Sequence, residues 1–179
     1  MNIIETEFAD LYIIDPLVHK DKRGYFFESY RDDIFKEKIG NINFVQENES
    51  YSKKGTLRGL HFQTEPHSQS KLVRCVKGKV LDVVVDLRKK SKTFGKHKSF
   101  LLSEDNKLQL FIPKGFAHGF IVLSNDAIFS YKVDNLYYPE NDSGILWCDK
   151  DLNIDWVLEK KDILVSQKDS KLKSLREIK

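Results

Sequence analysis

The clearest periodicity in the chain is two. VLDVVVDLR, residues 80 to 88, sets Leu81, Val83, Val85 and Leu87 on one side of a strand and Asp82, Asp86 and Arg88 on the other. AIFSYKV repeats the pattern with Ala127, Phe129, Tyr131 and Val133 on one face. Further short runs read as strands: LYIID, GYFFESY, NFVQENES, TLRGLHFQ, KLVRCVKG, SFLLS, LQLFIP and GFIVLS. Turn chemistry separates them at Lys77-Gly78, Asn125-Asp126 and the Pro139-Glu140-Asn141-Asp142 cluster. Helical spacing is confined to two places. Tyr30, Ile34, Phe35 and Ile39 predict a short helix over residues 30 to 39, stopped at Gly40. Near the C-terminus, Ser166 with Asp169 three residues later, then Leu172, Leu175 and Ile178, reads as a capping-box start. Many short strands with two minor helices predict an all-β, double-sheet jelly roll with room for a ligand.

Composition adds bounds to that pattern. A chain of 179 residues suits one domain, 1–179, and its 40% hydrophobic and 12% aromatic content supplies a core. No apolar run approaches the length of a membrane span, so no membrane role is expected. The start, MNIIETEFADLY, carries acids where a signal peptide needs a basic end, which predicts a cytoplasmic protein. Cys75 and Cys148 are then expected as reduced thiols. The formal charge is +3, yet residues 160 to 179 alone hold seven basic and three acidic side chains. A solvated basic tail on an otherwise near-neutral body argues against a nucleic-acid partner and for a small anionic ligand.

Candidate chemistry starts at TLRGLHFQ, residues 56 to 63, where Arg58 and His61 stand among apolar neighbours that favour a half-buried strand. Strict alternation would place them on opposite faces. They serve one site only if the strand bulges, and Gly59 is the place for that. IPKGFAHGF, residues 112 to 120, is a turn followed by a strand that delivers His118 to the mouth of a barrel, and its spacing resembles the second signature of the cupins. Metal-holding cupins carry two histidines one residue apart and a carboxylate in their first signature. Here Phe62 and Gln63 follow His61, so no metal site is expected. Arg58, His61 and Lys71 together suit an anionic ligand that bears a carbonyl.

Longer segments carry a more specific resemblance. DKRGYFFESY, FVQENESYSKKGTLRGLHFQ, QSKLVRCVKGKVLDVVVDLRKKSKTFG, FIPKGFAHGFIVLS, YKVDNLYYPENDSGILWCD and LVSQKD follow one another from residue 21 to residue 169. In that order they resemble the dTDP-4-dehydrorhamnose 3,5-epimerases, a cupin-like family of dTDP-L-rhamnose biosynthesis serving cell-surface polysaccharide such as lipopolysaccharide. The resemblance implies inversion of C3 and C5 of a dTDP-linked 4-keto-6-deoxyglucose, with no cofactor, because the C4 ketone acidifies both neighbouring C–H bonds. It implies His61 as base with Asp169 as its support, Tyr131 as acid, and Lys71, assisted by His118, as donor to the enolate oxygen. Read from the residues alone, Asp169 is equally a capping residue. The resemblance also assigns Arg23, Glu28, Gln46, Asn48, Arg58, Tyr137, Asp142 and Lys168 to the substrate, with Tyr137 stacking on the base and Asp142 at a family glutamate position. Finally, it implies a homodimer with strand exchange, in which some of these residues come from the second subunit. Competing readings are a 3,4-ketoisomerase, a non-catalytic sugar-nucleotide binder and a metal-dependent cupin oxygenase.

Overall fold

Both faces of the 80–88 run are buried, and the architecture follows from that. In the computed structural model, which describes residues 1–178, Val80 and Val84 face one apolar layer while Val83 and Val85 face another. The chain runs β1 (Asn2–Glu5), β2 (Tyr12–Asp15), β3 (His19–Asp21), β4 (Gly24–Phe26), α1 (Asp32–Lys38), β5 (Gln46–Lys53), β6 (Thr56–Gln63) and β7 (Lys71–Lys77). It continues with β8 (Lys79–Asp86), β9 (His97–Ser103), β10 (Gln109–Ile112), β11 (Phe116–Val122), β12 (Asp126–Val133), β13 (Asp142–Gly144), β14 (Leu164–Val165) and α2 (Leu175–Ile178).

One sheet has the order β1-β2-β10-β7-β12-β5 and the other β13-β6-β11-β8-β9, with β14 added in parallel to β6. Hairpin β3–β4 pairs with neither sheet. From β5 to β8, and again from β9 to β13, successive strands alternate between sheets, which is the double-sheet jelly roll expected from the strand cadence. Between the sheets lie Val73, Val84, Leu110, Phe120 and Phe129, all under a tenth exposed. Outside the second sheet, the segment after β13 packs Leu152, Trp156 and Leu175 onto Leu57, Val83 and Ile121. Outside the first sheet, α1 presses Phe35 onto Ile14, Leu72 and Phe111. Each fully buried side chain of this size stabilises the fold by about 1.5–3 kcal/mol.

Several boundaries differ from the pattern-based expectation. GYFFESY is extended only over Gly24–Phe26, NFVQENES enters its strand at Gln46, and GFIVLS belongs to a strand that already starts at Phe116. Strands β1 and β3 had no usable signal, since NIIE is too short and HKD has no apolar face. The helix over 30 to 39 is present as Asp32–Lys38. The C-terminal capping box lies eight residues further on than expected, at Ser174 rather than Ser166. Glu177 Oε2 accepts from Ser174 N at 2.7 Å and Glu177 N donates to Ser174 O, opening α2. Ser166 instead precedes a single 3₁₀ turn, Asp169–Lys171. Cys75, buried, and Cys148, half-buried, are not bonded to each other.

Candidate active site

The bulge that the sequence demanded exists. On β6 and β11, His61 is opposite His118 and Arg58 is opposite Phe120, so β6 fits one extra residue between the two pairs. Gly59 has φ +132°, and a Cβ there would lie 2.5 Å from Gly119 Cα. Two glycine backbones in contact are what allow the extra residue, and with it Arg58 and His61 line the same cavity.

That cavity, about 390 Å³, opens between the sheets. His61 and His118 reach it from the second sheet, while Lys71 on β7 and Tyr131 on β12 reach it from the first. A neighbouring cavity of about 370 Å³ shares His61, Lys71 and Tyr131 and adds Gln46, Asn48, Tyr137, Asp142 and Lys168. The two form one cleft, with the titratable cluster at its middle and a polar, aromatic arm at one end. Such a cleft, largely preformed and lined by a few convergent polar groups, is the usual setting for a small-molecule site.

The electrostatics of the cluster follow from burial. Asp169 Oδ1 lies 2.7 Å from His61 Nε2, and Gly59 N donates to Oδ2 at 3.3 Å. Burial alone would raise the Asp169 pKa, but the His61 hydrogen bond and charge, with the Gly59 and Ser166 contacts, hold it below the ordinary carboxylate range. Asp169 is thus an ionised partner for His61. Its backbone N–H is capped by Ser166 Oγ at 3.0 Å, so Ser166 does cap a turn while the Asp169 side chain turns to the histidine. Lys71 is buried, which brings its ammonium pKa down to about 8 despite the opposing pull of Asp142 and Asp82. Burial likewise raises the Tyr131 pKa, with Arg58 opposing, so the phenol keeps its proton.

At the arm, Tyr137 Oη donates to Asp142 Oδ2 at 2.9 Å, and Lys168 forms an ion pair with the same carboxylate. Gln46 donates to Asn48 Oδ1 at 2.9 Å on β5. Arg58 is held by Ser52 Oγ at 3.0 Å from Nε. Arg23 and Glu28 are not brought to the cleft of this chain. Arg23 pairs with Asp21 at the exposed tip of hairpin β3–β4, and Glu28 pairs with Arg31.

Pattern reading placed Asp82 on the polar face of β8 without a partner. The structure buries it completely and sets its Oδ2 2.8 Å from His118 Nε2, because the β8 face carrying Asp82 points between the sheets. Periodicity gave no signal for this, because it does not show that β8 is covered on both sides; once it is, a carboxylate there requires a buried partner. Ser50, whose Oγ is buried without a partner among the described residues, also lines the cavity and had no sequence signal.

Comparison with known proteins follows from this geometry. Residues 5–177 match a family model described as dTDP-4-dehydrorhamnose 3,5-epimerase. A dTDP-4-dehydrorhamnose 3,5-epimerase of Shigella flexneri is 53% identical over 170 residues, which cover 94% of this chain and 93% of that protein. The crystal structure of dTDP-4-dehydrorhamnose 3,5-epimerase from Elizabethkingia anophelis NUHP1 superposes with a TM-score of 0.96 at 48% identity, covering 99% of this chain and 97% of that one. The dTDP-6-deoxy-D-glucose-3,5-epimerase of Legionella pneumophila Philadelphia 1, solved in complex with dTDP-4-keto-L-rhamnose, gives a TM-score of 0.95 at 46% identity, with 99% and 94% covered.

Proposed function

The chain belongs to the dTDP-4-dehydrorhamnose 3,5-epimerase family, and on that premise we propose how its cleft works as an isomerase. The substrate is dTDP-4-dehydro-6-deoxy-D-glucose, and the reaction inverts C3 and C5 through enolates formed next to the C4 ketone, giving dTDP-4-dehydro-L-rhamnose. The observation that supports this best is that His61 and Tyr131 border one cavity from opposite sheets. Inversion needs a proton taken from one face of the ring and another delivered to the other face. A base and an acid carried on facing walls provide that.

In this reading His61 takes the proton at the ring nitrogen not bonded to Asp169, namely Nδ1. The Asp169 carboxylate stabilises the imidazolium that results. Lys71, assisted by His118, meets the negative charge growing on O4, and a donor placed there in advance is worth roughly 3 kcal/mol of barrier. Tyr131 then gives its proton to the opposite face. A phenol is a weak acid, but an enolate carbon is basic enough to take its proton. The arm formed by Gln46, Asn48, Tyr137, Asp142 and Lys168 receives the nucleotide, with Tyr137 against the base and Arg58 toward the diphosphate.

Arg23 and Glu28 belong to this scheme through a second copy of the chain. Among the described residues hairpin β3–β4 pairs with no other strand, and it exposes Tyr25 and Phe26, which suits strand exchange in a homodimer. We place the enzyme in the cytoplasm, supplying a rhamnose donor for cell-surface polysaccharide. No helix among the described residues is long and apolar enough to cross a membrane.

Incubation with the 4-keto sugar nucleotide in heavy water tests the reading. Deuterium is expected at both C3 and C5, with the inverted product seen by proton NMR. Wash-in at one carbon alone would make it a single-site epimerase, and a displaced ketone would make it a 3,4-ketoisomerase.

A further inference from the structure

Asp82 is fully buried, yet only one of its two oxygens is satisfied: Oδ2 meets His118 Nε2 at 2.8 Å, and Oδ1 has no partner among the described residues. A buried carboxylate left half-paired is costly unless positive charge is held beside it. Two groups that line the cavity face Asp82. One is His118, whose ring is 8% exposed and stacked at 22° beside Phe129 with centroids 6.1 Å apart. The other is Lys71, buried on the facing sheet and without a hydrogen bond or ion pair of its own among the described residues. The charged and titratable groups around the Asp82–His118 pair come from several elements: His61 on β6, Lys71 and Cys75 on β7, and Tyr131 on β12.

We infer that Asp82 is a positioning residue for the epimerisation. It fixes the His118 ring and its tautomer through Nε2, so that Nδ1 is held toward the substrate and the Lys71 ammonium. This inference rests on the reading given under Proposed function and adds to it the group that orients one wall of the cleft. The chemical reason is specific. A carboxylate accepts only, so Nε2 carries the hydrogen that meets Asp82 and Nδ1 is the ring atom left to face the cleft. Without the carboxylate the ring is free to flip or to change tautomer, and the atom facing the substrate is no longer defined.

Asp82→Asn keeps shape and hydrogen bonding while removing the charge, and Asp82→Ser carries the same test if that variant is insoluble. Nitrogen-15 NMR of the imidazoles, with the His118 signals assigned by their loss in His118→Gln, is expected to show the Nε2–H tautomer in wild type and a mixture of tautomers in the variant. In the same variant kcat is expected to fall roughly 10- to 100-fold with KM changed less than threefold, the scale on which groups that orient active-site ligands act. Placed in a His118→Gln background, the substitution should cost less than twofold more, because its effect passes through His118. Unchanged His118 ring-nitrogen signals, an unchanged kcat, or full additivity in the double variant overturns the inference. Wild-type protein that shows no wash-in refutes the reading under Proposed function, and the ring-nitrogen signals still decide the Asp82–His118 relation.

Discussion

Asp169 Oδ1 lies 2.7 Å from His61 Nε2, although 108 residues separate them. The contact is set by register. Strand β14 runs parallel to β6, with Leu164 opposite Thr56 and Val165 opposite Leu57. Ser166 then caps the turn that starts at Asp169, and Gly59 N steadies the second oxygen. The C-terminal segment thus brings the Asp169 carboxylate to His61 along a wall that Leu164 and Ser166 also line. Because a carboxylate at this position fixes the ring's tautomer, Asp169→Asn is expected to lower kcat by roughly 10²- to 10⁴-fold with KM little changed. His61→Ala should lose deuterium wash-in altogether while dTDP binding, followed by calorimetry, persists. Wash-in at the wild-type rate in either variant would remove this pair from the chemistry.

The placement of Tyr131 on the sheet opposite His61 makes a separate expectation. In the proposed reaction, loss of the phenol leaves His61 able to remove a proton and return solvent deuterium to the face it came from. Tyr131→Phe should therefore retain wash-in at C3 and C5 while formation of the inverted product falls at least tenfold. The two rates are read from one NMR time course. Equal loss of exchange and inversion would mean that Tyr131 acts before proton removal.

Lys71 gives a pH dependence whose sign can be worked out. Burial lowers its pKa to about 8, so the ammonium is present below that value and is lost as pH rises through it. A charged donor to O4 is worth more than a neutral amine. The kcat/KM profile is therefore expected to fall on the alkaline side with a midpoint near 8. In Lys71→Arg that limb should vanish, since guanidinium does not titrate in this range. For folding the sign is opposite: the unfolded chain binds more protons between about 8 and the ordinary lysine value, so this residue's contribution to stability rises with pH across that interval.

Much of this was legible in the sequence, for reasons that can be named. The faces of β8 and β12 follow from a period of two, and the bulge at Gly59 follows from requiring Arg58 and His61 on one site. What periodicity does not carry is which face looks inward. Asp82 and Asp86 look like a solvent face, but a covering segment buries the apolar side of β8 from outside and leaves the polar side within the barrel. Capping residues mislead for a related reason. Ser166 and Ser174 each precede an acid by three, and only tertiary contact decides that Asp169 serves His61 while Glu177 closes the box. Arg23 and Glu28 were assigned by resemblance alone, and nothing local to one chain draws them into its cleft.

Asp86 shows how the same strand stores stability away from the chemistry. It is fully buried, and both its oxygens are used. Oδ1 accepts from Arg88 N at 2.9 Å and Arg88 Nε at 3.0 Å, and Oδ2 from Arg88 Nη2 at 2.9 Å, Ser91 Oγ at 2.6 Å and Thr93 Oγ1 at 2.7 Å. Burial pulls the Asp86 pKa upward, but these five donors outweigh it and bring it down to about 2. Because the folded value lies below the unfolded one, the stabilisation is complete above the ordinary carboxylate range and is lost as pH falls from about 4 to about 2. A shift of this size corresponds to roughly 2–3 kcal/mol. Asp86→Ala removes the acceptor for all five donors and strands the Arg88 guanidinium, which lies 4.6 Å over Phe116 and, among the described residues, keeps only Asp10 as a hydrogen-bond partner at 3.1 Å. The expected loss is about 3–5 kcal/mol at pH 7, measured by urea denaturation. Asp86→Asn should flatten the acid limb of stability between pH 4 and 2 relative to wild type, because the group that titrates there is gone. An unaltered acid limb would show that the loop from Arg88 to Thr93 is held by something other than this carboxylate.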